Sequence, residues 1–167
     1  MPAMEPPASH HLSAAIGWCE LGNNEEAVQE LRRLDSKWKD HPDVLEVWWR
    51  IHSAREDWAT ALETARLLVD KAPDRPWGWL HRAYAMRRCP SGGIEAAREA
   101  LLPAFEKFPA EPVIPFNLAC YACQLNRLDE ARSWLDQAMK TGGKAVIRRM
   151  ALNDTDLEPL WEEIRKG

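Results

Sequence analysis

The pair Cys120 and Cys123 has the spacing of a metal or redox motif. A structural zinc site needs four ligands, and the other two cysteines, Cys19 and Cys89, stand alone and far away in sequence. A redox pair of the thioredoxin type opens a helix after a strand, whereas this pair falls in the middle of a predicted helix with no strand before it. We therefore interpret both cysteines as small side chains packed inside a helix, with a redox or metal site as the alternative.

Histidine and glycine patterns do not assemble a catalytic site either. No histidine is paired with another histidine or with a cysteine at helical spacing of three or four residues; the five are His10, His11, His41, His52 and His81. The sequence contains no nucleophile elbow, glycine-rich phosphate loop or metalloprotease helix. These observations predict a protein that is not an enzyme and that needs no cofactor and no metal.

Composition narrows the class of partner. The 167 residues include 22 basic and 26 acidic side chains, for a net charge of −4, which argues against nucleic-acid binding driven by bulk electrostatics. No run approaches the roughly 18 apolar residues of a membrane span, and no secretory signal is visible at the start. Four cysteines are too few for a disulfide scaffold, so we expect a cytoplasmic protein. Nine tryptophans beside three phenylalanines indicate repeated use of large flat side chains.

An internal repeat organises the chain. Four alanines, each followed by apolar residues at helical spacing, recur at intervals of 34, 36 and 34 residues: Ala27, Ala61, Ala97 and Ala131. The longer interval contains the turn-rich stretch 89–93, which can absorb two extra residues. Helix-stopping residues follow the pattern at Pro73, Pro109 and Gly143.

Apolar residues within each unit follow helical spacing, and no alternating β-branched run occurs, so an all-α fold is expected. The predicted helices span about 9–21, 24–39, 43–55, 58–72, 76–88, 93–108, 112–125 and 128–141. A short turn near 144–151 and a last helix near 156–165 complete the prediction.

These features resemble the tetratricopeptide repeat (TPR) family, most closely in Phe116–Tyr121 and Leu128–Ala131 of the fourth copy. The resemblance implies an all-α solenoid over residues 8–152. Its implied parts are a flexible start at 1–7, repeats at about 8–42, 43–75, 76–111 and 112–145, and a capping helix at 153–167. Two departures are Trp49, where the repeat has a small residue, and Pro42, which comes three residues late.

The same resemblance implies where a partner would bind. In TPR proteins, the first helix of each repeat lines a concave groove. The residues at such positions combine arginine with aromatic side chains, both common at binding hot spots: Arg50, Trp77, His81, Tyr84, Arg87, Arg88, Phe116 and Asn117. The opposing interpretation is that aromatic residues at helical spacing pack between repeats. An exposed end of the solenoid is the alternative binding surface.

The sequence therefore predicts a protein-binding scaffold or adaptor. The Trp-Gly-Trp-Leu-His-Arg helix and Asp-Leu-Glu-Pro-Leu-Trp tail look bacterial, and one similar group is the bacterial kinesin light chain-like proteins. That similarity implies a bacterial tubulin-like filament as the partner. A secretion or assembly chaperone that holds an extended segment is the alternative.

Overall fold

The computed structural model describes residues 4–166, and every regular element in that range is helical. The expected all-α fold is therefore confirmed. The chain divides into two compact units, Met1–Ala85 and Met86–Gly167.

The first unit is built from paired helices. They are α1 (Ala8–Glu20), α2 (Asn24–Arg32), α3 (Pro42–Ala54), α4 (Trp58–Lys71) and α5 (Pro76–Arg88), the last of which ends in the second unit. A 3₁₀ turn at Ser36–Trp38 joins α2 to α3. Helix α1 packs against α2, α3 packs against α4, and α1 also contacts α3.

The second unit continues the pattern and then departs from it. Its helices are α6 (Ile94–Lys107), α7 (Val113–Gln124), α8 (Leu128–Gly142), α9 (Lys144–Leu152) and α10 (Trp161–Lys166), with a 3₁₀ helix at Thr155–Leu160 before α10. Helices α7 and α8 share the most extensive interface. Helix α9 packs on α8, while the 3₁₀ helix packs on α7.

One turn geometry recurs between paired helices. The residue before the second helix of each pair donates its backbone N–H to a carbonyl in the first helix: Asn23 to Trp18 at 2.8 Å, Asp57 to His52 at 3.0 Å, Arg127 to Ala122 at 2.9 Å. The preceding residue is left-handed in all three, with φ of 75° at Gly22, 56° at Glu56 and 58° at Asn126. This is the Schellman closure of a helix.

The third pair carries a longer version of the same turn. Gly93 donates to the carbonyl of Met86 at 3.0 Å, a span two residues longer than in the other pairs. The two extra residues of the 36-residue interval therefore lie in this turn, as the stretch 89–93 predicted.

Small side chains let the paired helices approach closely. Each of the four periodic alanines is 0% exposed: Ala27, Ala61, Ala97 and Ala131. In α5, a Cβ added to Gly78 would lie 3.2 Å from Leu68. Larger residues at these places would force the helices apart.

Three of the predicted elements were wrong in detail. Helix α2 ends at Arg32 rather than near 39, because Asp35 is extended (ψ 151°) and the chain turns there to bury Leu34. The segment expected as a turn near 144–151 is the nine-residue helix α9, which Ile147 and Ala151 anchor in the core. The last helix begins as a 3₁₀ helix, since Pro159 lacks a backbone donor and disfavours α geometry before it.

None of the helices within residues 4–166 combines the length and the apolar content that crossing a bilayer requires.

Candidate partner-binding site

Helices α3 and α5 bring a group of aromatic rings together in the first unit. The Trp49 indole stacks on the His81 imidazole, with ring centroids 3.7 Å apart and planes 10° apart. Tyr84 meets Trp49 edge-on at 6.0 Å and lies 5.8 Å from Trp58. Such pairs contribute about 0.5–1.5 kcal/mol beyond the area they bury, so the rings form a firm cluster.

One side of this cluster reaches solvent. Trp77, His81 and Tyr84 share a face of α5, because residues four and seven positions apart in a helix line up. Trp77 is 46% exposed and Tyr84 is 38% exposed, which is unusual for large aromatic side chains. We refer to Trp49, Trp58, Trp77, His81 and Tyr84 together as the aromatic surface.

A carboxylate lies between a guanidinium and an imidazole beside these rings. The nearest oxygen of Glu46 is 3.8 Å from the Arg50 guanidinium and 3.9 Å from Nε2 of His81. Both distances exceed a hydrogen bond, so these contacts are electrostatic. They lower the pKa of the Glu46 carboxyl, His81 more than Arg50. The Arg50 side chain remains 46% exposed and is held only loosely.

The stacked pair also contains polar atoms without partners. Among the described residues, no hydrogen bond reaches the enclosed Nε1 of Trp49 or Nε2 of His81. Leaving a buried polar atom unsatisfied costs about 1–3 kcal/mol, so most cores avoid it. These two atoms therefore lie in a tightly packed ring stack that gives them no hydrogen-bond partner among the described residues.

In the second unit, the predicted binding residue Arg87 forms an ion pair within the protein. Its guanidinium forms two hydrogen bonds with the Asp156 carboxylate, one of them 2.8 Å long from Nη2 to Oδ1. It also lies 5.8 Å from the Tyr121 ring. The pair is about four-fifths buried, so this guanidinium is engaged within the protein. Arg88 is half-buried.

Two more predicted binding residues, Phe116 and Asn117, make contacts within the protein. Phe116 is 6% exposed and belongs to the core of the second unit, so its expected place on a binding face was wrong. Its position faces inward because nine of the twelve residues of α7 are buried. Asn117 is partly exposed and donates its side-chain N–H to the Val113 carbonyl one turn earlier, at 2.9 Å.

The cysteine pair lies in α7 and both thiols are buried. Burial, reinforced by Asp154 and Asp156, raises the pKa of the Cys120 thiol. The ligand atoms of Cys120, Asp154 and Asp156 lie within 4.8 Å of one another, a spacing that a metal ion could bridge. In this structure both oxygens of Asp156 accept hydrogen bonds from Arg87, so that carboxylate is engaged in an ion pair.

Comparison with solved structures identifies the architecture. A crystal structure of TTC0263, a thermophilic TPR protein of Thermus thermophilus, superposes with a TM-score of 0.71. The match covers 94% of this chain and 82% of that one, at 20% sequence identity. The chain has the TPR fold. The sequence itself matches no known family profile and no curated protein.

Within this TPR fold, sequence reasoning missed part of the aromatic surface. Trp49 was noticed only as a departure from the repeat, yet its ring organises the cluster. Trp58 was not among the predicted binding residues, although it contacts the exposed Tyr84. The available signal was the departure itself, because a tryptophan where a repeat tolerates a small residue must find space on a neighbouring helix. Of the other tryptophans, Trp48 stacks on His52 within α3.

Proposed function

We propose that this protein is a non-catalytic scaffold that binds a segment of a partner protein on its aromatic surface. The observation that carries the proposal is the exposure of Trp77 and Tyr84 on one face of α5, beside the stacked Trp49 and His81. TPR folds generally serve as scaffolds for protein–protein interaction, so the fold favours a protein as the partner.

Each side chain has a physical role in this proposal. Trp77 and Tyr84 cover apolar groups of the partner and, as rigid rings, lose little conformational entropy. Arg50 pairs with a carboxylate of the partner, since its contact with Glu46 at 3.8 Å is weak enough to exchange. Arg87 makes no contribution to binding, because Asp156 holds it.

The first test uses affinity capture from the native lysate with quantitative mass spectrometry. Captured proteins are compared between the wild type, the double variant Trp77→Ala with Tyr84→Ala, and Val146→Ala as the control. Val146 is 50% exposed in the other unit, so this control also removes exposed apolar surface. We expect one partner to be lost from the aromatic variant and retained by the control. Equal recovery of the partner by all three proteins would show that the aromatic surface is not the binding site.

Once that partner is purified, Arg50→Glu separates charge from apolar contact. Charge reversal at the edge of an interface slows association and makes it less sensitive to salt, whereas loss of Trp77 speeds dissociation. Affinity for the Arg50→Glu variant unchanged at low salt would show that the partner does not present an acidic group there.

We propose two candidate types of partner. The first is a bacterial tubulin-like filament, which co-sedimentation of the purified protein with polymerised filaments would reveal. The second is an effector or subunit whose extended segment the protein holds as a chaperone, which a stoichiometric complex with one dedicated protein would reveal. We place the protein in the cytoplasm, where its four free cysteines would remain reduced.

A further inference from the structure

Helix α9 presents positive charge at the end of the second unit. Lys144, Arg148 and Arg149 line one depression on its surface. Between residues 140 and 153 the sequence has four basic residues and no acidic one, in a chain whose net charge is −4. We call Lys144, Arg148 and Arg149 the basic surface.

The charges of the basic surface are largely unused within the protein. Among the described residues, no carboxylate forms an ion pair with any of the three; Arg148 instead donates to the backbone carbonyl of Arg165. Lys144 occupies the first position of α9, where a cation is unfavourable because the helix dipole is positive at that end. Helix stability therefore does not explain this lysine.

Next to the basic surface lies an apolar depression of about 240 Å³. Its apolar lining consists of Leu135, Met139, Leu160 and Ile164. Its charged lining is net positive, with Arg132, Lys144 and Arg148 against Asp136 and Glu163. Arg132 and Glu163 neutralise each other through two hydrogen bonds of 2.7 and 2.8 Å. A ligand that fits would combine an aliphatic side chain with several carboxylates.

The first unit of the same chain carries an exposed aliphatic side chain next to several carboxylates. Leu21, in the turn between α1 and α2, is 77% exposed, the highest value among its large hydrophobic side chains. Glu20, Glu25 and Glu26 surround it in sequence, all exposed. None of the three forms an ion pair with another described residue. We call Glu20, Leu21, Glu25 and Glu26 the acidic turn.

We propose that the acidic turn of one copy docks on the basic surface of a second copy, with Leu21 in the apolar depression. The three carboxylates meet the three cations, and the exposed leucine is removed from water. Each copy carries one acidic turn and one basic surface, so two copies can dock reciprocally or further copies can add. The proposal is independent of the aromatic surface, and neither depends on the other.

Sedimentation equilibrium of the purified chain tests it at concentrations from about 10 μM to 1 mM, the range for a small transient interface. At about 20 mM salt we expect the average mass to rise with concentration above that of the monomer, and at about 500 mM salt to fall to the monomer. A monomer throughout the range at low salt would overturn the proposal.

Two charge variants locate the contact. Lys144→Glu with Arg149→Glu gives a chain with two acidic surfaces, and Glu25→Lys with Glu26→Lys gives one with two basic surfaces. We expect each to be monomeric alone and a 1:1 mixture to associate. The control, Arg32→Glu with Lys39→Glu, makes the same change in net charge as Lys144→Glu with Arg149→Glu at exposed positions elsewhere and should associate as the wild type does.

The remaining outcomes also decide the matter. Leu21→Ser should weaken association about tenfold, since a buried leucine side chain is lost from the contact. Circular dichroism and melting of every variant establish that it is folded. A mixture of the charge variants that stays monomeric would overturn the contact, and a control that dissociates as the Lys144→Glu, Arg149→Glu variant does would show that net charge rather than this contact governs association.

Discussion

The ion pair between Arg87 and Asp156 gives the sharpest test of what each arginine does. Replacing Arg87 with methionine keeps the aliphatic stem and removes the charge. Breaking a fully buried pair costs about 3–5 kcal/mol and an exposed pair about 0–1 kcal/mol. The two side chains are 21% and 19% exposed, between these limits. We therefore expect Arg87→Met to lower the free energy of unfolding by about 2 kcal/mol.

The assay is urea unfolding followed by circular dichroism and by tryptophan fluorescence, with coincident transitions required before free energies are compared. For a chain of this length the loss corresponds to a melting temperature lower by about 4–8 °C. A double-mutant cycle with Asp156→Asn isolates the pair, and the coupling should account for most of the loss. Arg50→Met is the control, because its exposed contact with Glu46 should change stability by no more than about 0.5 kcal/mol.

A coupling energy near zero would refute the reasoning. Arg87 would then be free to serve a partner, as the sequence alone suggested. Equal losses from Arg50→Met and Arg87→Met would show that the difference in burial has no energetic meaning here.

Three further predictions concern the fold itself. Leu157→Ala, in the 3₁₀ helix that packs on α7, should cost about 2–5 kcal/mol in urea unfolding, because Leu157 is 0% exposed; unchanged stability would contradict a capping role for residues 153–167. Burial lowers the pKa of His52, so the unfolded chain binds more protons than the folded one. The free energy of unfolding should therefore fall as pH drops below about 6.5. His52→Gln should remove that dependence in thermal melts between about pH 7.5 and 5.5. Gly17→Ala should raise stability by about 0.5–1 kcal/mol, because no atom lies near the added Cβ. Gly92→Ala should lower stability by about 1–3 kcal/mol, because its Cβ would collide with the Met86 carbonyl. Thermal melts that reverse this order would refute the prediction.

The fold could be predicted from the sequence because its cause is periodic. Four alanines at nearly constant spacing indicate four close helix contacts, and all four are buried. The errors fall where periodicity stops. Helix α9 has only Ile147 and Ala151 as buried anchors, too few to distinguish a helix from a turn by spacing. Pro159 marked a break in helical geometry, but its effect on the last helix was not anticipated.

The candidate site was harder to predict because a helix position fixes a direction and not a neighbour. Arg50 and Arg87 occupy similar places on first helices, yet one is exposed and the other is paired with a residue 69 positions away. Nothing local to Arg87 indicates Asp156. Likewise, Phe116 and Trp77 are both aromatic, and only the packing of the surrounding helices distinguishes the buried ring from the exposed one.

The recurring turn between paired helices has a consequence for how this protein can be recognised. The same left-handed backbone is occupied by glycine, glutamate and asparagine in three copies, and the same closing hydrogen bond forms in each. Because the donor and acceptor are backbone atoms, the turn leaves no fixed letter in the sequence. Family profiles score letters, so a chain can keep this backbone and still fall below their threshold. Left-handed dihedrals and their spacing along the chain would therefore identify this turn without depending on residue identity.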